Sequence, residues 1–105
     1  MDFHDAQIKG MTLNAAESAA TIELLAYPDD DAKERTGFQI AFRKVSHVSM
    51  TADLEELADH WSAGNVVSAR LSERQGTTTV YLTGGTIIIR AVESVVVDLE
   101  DRMGE

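Results

Sequence analysis

His4 and Asp5 are the residues of this chain that look most like chemistry. They stand side by side in "MDFHDAQIKG", with Asp2 two positions before the histidine, at the start of an apolar run. A histidine oriented by a carboxylate suits proton transfer, and the same two residue types ligate metals. Either use needs further groups. A catalytic zinc needs three protein ligands converging on one point. The other two histidines, His47 and His60, have neither the helical nor the short strand spacing that would bring them together with His4. No serine lies in a G-x-S-x-G elbow. Neither glycine-rich phosphate-binding motif is present. With 18 acidic residues some carboxylates must be neighbours, so their abundance is no signal for hydrolysis. Asp29, Asp30 and Asp31 are consecutive. They lack the alternating ligands, central glycine and distant glutamate of a calcium loop.

The chain is therefore expected to carry no catalytic residue, no metal and no cofactor, and not to be an enzyme. His4 and Asp5 read best as a polar pair that bonds backbone groups at the mouth of the first strand and fixes where Ile8 meets the core. The alternative is a small-ligand-binding protein or small enzyme. It requires a pocket beside His4 and Asp5 with apolar and aromatic walls.

A second constellation is Arg70, Tyr81, Ile88 and Arg90, set among the hydroxyls of Ser68, Ser72, Thr79, Thr83 and Thr86. Tyrosine and arginine in a polar, adaptable surround are common at protein contacts. Ile88 adds apolar area that a purely solvated face does not need. Threonine also suits ordinary exposed strand positions. As an interface, the face would take a protein partner or a second copy in a homodimer.

These four residues share a face only if the strands beneath them pair in a particular register. Gly84-Gly85 separates two β-rich runs and predicts a two-residue hairpin loop. That loop sets Leu82 opposite Ile87, Val80 opposite Ile89 and Thr79 opposite Arg90. A second loop at Gln75-Gly76 sets Leu71 opposite Val80, Ala69 opposite Leu82 and Arg70 opposite Tyr81. Both place Val67, Ala69, Leu71, Val80, Leu82, Ile87, Ile89 and Ala91 inward. A short turn at Glu93-Ser94 then leads to a last strand, Val95 to Leu99.

Before these strands, Leu54, Leu57, Ala58 and Trp61 form the stripe of an amphipathic helix over about residues 52–63. Thr51 or Asp53 caps its start and Gly64-Asn65 stops it. It is expected to dock through Leu54, Leu57 and Trp61. In the first half, "QIKGMTLN" and "ATIELLAY" read as strands. The apolar alternation of the first changes phase at Gly10, which predicts a β-bulge. "GFQIAFRKVSHVSM" gives a third strand with Phe38, Ile40 and Phe42 inward. No internal repeat is visible. The expectation is an α+β fold, mostly antiparallel β, with about seven strands in a curled sheet or sandwich and one helix.

The chain has 105 residues, enough for one domain over 1–105, and 44% of them are hydrophobic, enough for a core. The formal charge of −9 argues against nucleic acid and against an anionic membrane surface. It would steer a basic protein partner favourably, and it equally serves solubility alone. No apolar run approaches the roughly 18–20 residues of a membrane helix. The start lacks the pattern of a signal peptide. With no cysteine, the chain fits a reducing cytoplasm.

At "FHDAQI", through His4, Asp5, Ala6 and Ile8, the chain resembles a loose group of small bacterial β-rich domains. These open with a histidine–aspartate–alanine run, and some are immunity-type proteins of toxin systems. "YLTGGTIIIRAVESVVVD", Tyr81 to Asp98, resembles their closing hairpin and strand. The helix expected over 52–63 is a departure from the group. The resemblance implies a cytoplasmic, non-enzymatic binding domain and supplies no catalytic residues.

Overall fold

The structure is a computed structural model, and it describes residues 3–71 and 76–100. Among these residues it is a six-stranded antiparallel sheet with one short helix between strands. The strands are β1 (Gln7–Asn14), β2 (Ala19–Ala26), β3 (Thr36–Thr51), β4 (Val66–Leu71), β5 (Thr77–Leu82) and β6 (Gly85–Asp98). The helix α1 (Leu54–Asp59) lies between β3 and β4. The spatial order is β1-β2-β3-β6-β5-β4. There are six strands rather than seven because no turn interrupts Glu93-Ser94. Instead β6 continues to Asp98, since the 16-residue β3 is long enough to pair with all of it, through Arg43↔Glu93 and Phe42↔Ser94.

One face of the sheet is apolar because the strand alternation puts every second residue inward. Ala20, Ile22, Leu24 and Ala26 of β2, with Phe38, Ile40 and Phe42 of β3, are buried. So are Val80, Leu82, Ile87, Ile89 and Ala91 from the other half, and all belong to one cluster. The bulge expected at Gly10 is present, as a register shift between Ile8 and Gly10. It lets Ile8 and Met11, an odd step apart, oppose the inward Leu24 and Ile22.

Both hairpins in the second half differ from the expected register by two residues. The β5–β6 loop is Thr83-Gly84, so Val80 faces Ile87 and Thr79 faces Ile88. Across β4 and β5, Ala69 faces Val80 and Arg70 faces Thr79. Gln75 and Ser72 lie outside the described residues. The two glycines of the first turn serve different ends. Gly84 takes the left-handed conformation, with φ 75°. Gly85 is already in β6, where a Cβ would collide with the carbonyl oxygen of Thr51. A shift of two keeps each side chain on its own face. The expected inner set therefore holds, except at Val67. A second bulge, between Val66 and Ser68, turns Val66 into the core and leaves Val67 exposed.

The sheet has an internal twofold plan. Each half is a hairpin followed by a long strand, β1-β2-β3 and β4-β5-β6. The first strand of each half is bulged near its start. The residue before each second strand is left-handed, Ser18 with φ 52° and Gly76 with φ 69°. The carbonyl of each accepts from the middle of its long strand: Val45 N–H donates to Ser18 O at 2.8 Å, and Ala91 N–H donates to Gly76 O at 2.7 Å. Val45 and Ala91 face each other. The plan was invisible as a sequence period because residues 27–35 join β2 to β3, whereas only Thr83-Gly84 join β5 to β6.

The helix is shorter than expected. Asp53 is its N-cap, its carboxylate accepting from Glu55 N and Glu56 N. After His60 the chain tightens, with Trp61 N–H on Ala58 O and Gly64 N–H on His60 O and Trp61 O. Only Leu57 is buried, while Leu54 and Trp61 are exposed, so docking rests on Leu57 and on polar bonds. Asn65, 1% exposed, carries most of these. Its Oδ1 accepts Ile8 N–H at 2.7 Å, its Nδ2 donates to Leu57 O at 3.1 Å, and its own carbonyl accepts Thr83 N–H at 3.0 Å. Ala6 O accepts the N–H groups of Asn65 and Val66, both at 3.0 Å, and Asp5 N–H reaches Val66 O at 3.2 Å. These bonds draw the starts of the two outer strands, β1 and β4, together. The sheet is therefore curled, although not closed.

Truncating Asn65 leaves a buried N–H and a buried carbonyl without partners. Asn65→Ala is expected to lower unfolding free energy by about 2–4 kcal/mol in urea titration. Asn14→Ala, which removes a bond to Glu17 N in an exposed turn, is expected to cost less than about 1 kcal/mol.

Candidate binding surface

The outer face of β4, β5, β6 and the second half of β3 is a grid of cross-strand rows. Partners in an antiparallel ladder share a face. One row is Arg70–Thr79–Ile88–Ser49. The next is Ser68–Tyr81–Thr86–Thr51, and the third is Thr77–Arg90–His47. The four residues singled out from sequence thus lie on one face. Their spacing differs from expectation: Arg70 is beside Thr79 rather than Tyr81, and Arg90 is beside Thr77 and His47 rather than Thr79. The expected contact of Arg70 with Tyr81 becomes a diagonal one.

Tyr81 is 39% exposed and Ile88 38%, and they stand on adjacent strands in adjacent rows. Around them are hydroxyls, Arg70, Arg90 and His47. Among the described residues the grid holds no carboxylate, and neither arginine has an ion pair. A chain with a net charge of −9 therefore presents one locally cationic face. His47 joins it because β3 runs on past Val45 to pair with β6. Sequence reading missed His47, Ser49 and Thr51. Their alternation, H-x-S-x-T over 47–51, is a signal only once β3 is known to flank β6.

His4 and Asp5 lie elsewhere, in the segment that brings β1 to β4. Asp5 has a left-handed backbone, with φ 63°. The His4 Nδ1 donates to Val67 O at 2.9 Å, and its Nε2 is 3.5 Å from the Asp5 carboxylate. Both side chains are exposed. The histidine bonds backbone, but the backbone of β4 rather than of β1. It reaches Val67 because the β4 bulge turns that carbonyl outward.

His4 also borders an open groove of about 530 Å³, with Phe3, Tyr27, Pro28, Asp29 and Asp30. Asp5 is not among its walls. The buried Phe3 packs edge-on against Phe38, their ring centroids 6.0 Å apart. Arg35 secures the groove's far wall. Its guanidinium lies 4.8 Å from the centroid of the Tyr27 ring, while its Nε and Nη2 donate to Asp5 O and Ser62 O at 3.1 and 3.3 Å. Arg35 was not legible in advance, because nothing in "PDDDAKERTG" says which carbonyls an arginine will reach.

His60 is on a different element and pairs with Glu56 at 3.4 Å. Among the described residues no group of three or more His, Asp or Glu side chains could hold a metal ion. No helix among them is long and apolar enough to cross a membrane. No family model matches the chain, and neither a curated protein nor a solved structure is significantly similar to it.

The bond from His4 to Val67 O is solvent-exposed. His4→Ala is expected to lower stability by about 1 kcal/mol, read as a shift of the urea midpoint with unchanged slope.

Proposed function

We propose that the chain is a non-catalytic protein-binding domain that meets its partner through the outer face of β3, β4, β5 and β6. The observation that carries this reading is the grid itself. Tyr81 and Ile88 supply adjacent exposed apolar area, and Arg70, Arg90 and His47 flank them with no described carboxylate between. Side chains of this kind, on a rigid ladder and in a hydroxyl surround, lose little conformational freedom on contact.

The partner surface that fits is apolar at its centre and acidic at its margin. Twofold stacking of this face on a second copy would bring arginines toward arginines, so a different protein is favoured here. A phosphate backbone is a poor candidate despite the arginines, since the remainder of a −9 chain would repel it. The resemblance of "FHDAQI" and Tyr81 to Asp98 to small bacterial immunity-type domains supports the same class of activity: neutralising a partner by contact alone, in the cytoplasm.

The groove beside His4 favours a second reading, a small-ligand site between Phe3 and Tyr27 with His4 as its polar group. The two readings separate by mutation. On the first, Tyr81→Ala and the pair Arg70→Glu, Arg90→Glu abolish capture of the partner that the wild-type chain retains, with thermal midpoint unchanged. His4→Ala leaves capture intact. Capture that survives both grid variants and fails with His4→Ala would transfer the function to the groove.

A further inference from the structure

We infer that the second half of β6 is a seam between two copies of this chain: residues 92–98 pair antiparallel with the same segment of a second molecule. β6 has β3 along one side throughout. On its other side β5 ends at Thr77↔Arg90, and Gly76 O then takes the N–H of Ala91. Beyond that point, among the described residues, no strand pairs with this side of β6. An unpaired edge presents backbone donors and acceptors that can template another strand.

The twofold plan of the sheet provides a comparison within the same molecule. The second half of β3 is the equivalent edge, beyond Val45 and its bond to Ser18. That edge is Ser46, His47, Val48, Ser49, Met50 and Thr51, four of the six polar, with Met50 as its one exposed large apolar residue. The β6 edge instead exposes Val92 at 73%, Val95 at 57% and Val96 at 40%. The β3 edge has the chemistry of a strand left in water. The β6 edge has the chemistry of one that is covered.

A second copy is the occupant that the register fits. A twofold axis normal to the sheet keeps each side chain on its own face, so opposed residues must have the same parity. The axis then passes through one residue and its own mate. At Glu93 or Asp98 it would set like carboxylates against each other. At Val95 it sets Val92 opposite Asp98, Glu93 opposite Val97 and Ser94 opposite Val96, and no carboxylate meets another. The same register brings the mate's Arg90, where its β5 begins, level with residue 100. The strand has ended there: β6 stops at Asp98, whose carboxylate accepts the Glu100 N–H at 3.0 Å, and the chain turns away. The contact is isologous and closes as a dimer. It leaves the outer-face grid free.

The natural chain has no cysteine, so an introduced one can pair only with its own mate. Val95→Cys is expected to give a disulfide-linked dimer under mild oxidation, while Met50→Cys, on the polar β3 edge, stays monomeric. By sedimentation, the wild-type mass is expected to rise with concentration toward that of a dimer. It should do so more readily in high salt, which screens two copies of like charge. Val95→Lys, at an exposed position, is expected to abolish that rise with unchanged circular dichroism. A wild-type chain that remains monomeric at every concentration overturns the inference, as does equal cross-linking of Met50→Cys and Val95→Cys. If Val95→Lys fails to fold, the cysteine pair decides. Tyr81→Ala leaves the dimer in place, so loss of partner capture and loss of dimer are read separately.

Discussion

Two strands, β3 and β6, run antiparallel over nearly their whole length, and each serves both halves of the sheet. The Val45–Ala91 pair marks their crossing. On one side of it β3 is an interior strand and β6 an edge; on the other the roles exchange. Val45 and Ala91 both direct their N–H groups outward, to Ser18 O and Gly76 O, so β2 and β5 begin at equivalent places. Lys44, next to Val45, has φ 54°, a left-handed residue at the point where the long strands leave regular alternation. The inward residues of both halves can therefore enter one cluster although the sheet bends between them. The outer grid and the free β6 edge are products of the same crossing. The grid needs the second half of β3 beside β6, and the edge exists because β5 begins at the crossing.

A sheet organised in this way must still bring its outer strands together, and it does so with polar groups. β1 and β4 share no ladder among the described residues. Their starts are joined by the Asn65 amide, by Ala6 O and by the Asp5–Val66 bond. Gln7 adds a bond from Nε2 to Trp61 O at 2.6 Å. Gly64 is needed there because it is left-handed, with φ 104°, and because a Cβ would meet the backbone of Asp5. Buried amides of this kind stabilise only when every group is partnered. Asn65 meets that condition with both side-chain atoms and both backbone groups. It also explains why a helix with a single buried residue, Leu57, stays in place. Its carbonyls and its N-terminus are held from outside, by Asn65 on Leu57 O and by Asp53 N–H on Gly84 O.

The parts of this arrangement that were legible in the sequence depend on parity. Val80, Leu82, Ile87 and Ile89 were assignable to the core because alternation survives a register error of two. The exact loop, Thr83-Gly84, was not assignable, because two glycines in a row do not reveal which takes the turn and which permits the approach of Thr51. Gly10 announced its bulge by breaking the apolar phase. The β4 bulge did not, since Val66 and Val67 are chemically alike and either could face inward. The helix stripe was read too long for a related reason. Leu54 and Trp61 have the right spacing, but the hairpin tip at Gly84 occupies the helix N-terminus, and the turn after His60 carries Trp61 out of line. Asn65 looked like a helix stop and is the main tie of the fold. Nothing local distinguishes an asparagine that ends a helix from one whose amide will meet a strand far away in sequence.

Nine of the 18 acidic residues fall in three short stretches of the sequence, 29–31, 53–56 and 98–101. The outward positions of the grid are filled by threonine, serine, arginine, histidine, tyrosine and isoleucine. Net charge read from composition therefore does not describe the outer grid, which holds no carboxylate among the described residues. Long-range attraction would bring a basic partner to the acidic stretches. Close contact at the grid would select carboxylates and apolar side chains. The two selections apply at different distances. A partner satisfying both would carry a basic periphery around a contact patch that is apolar at its centre and acidic at its margin, which is a more restrictive requirement than either charge or hydrophobicity alone imposes.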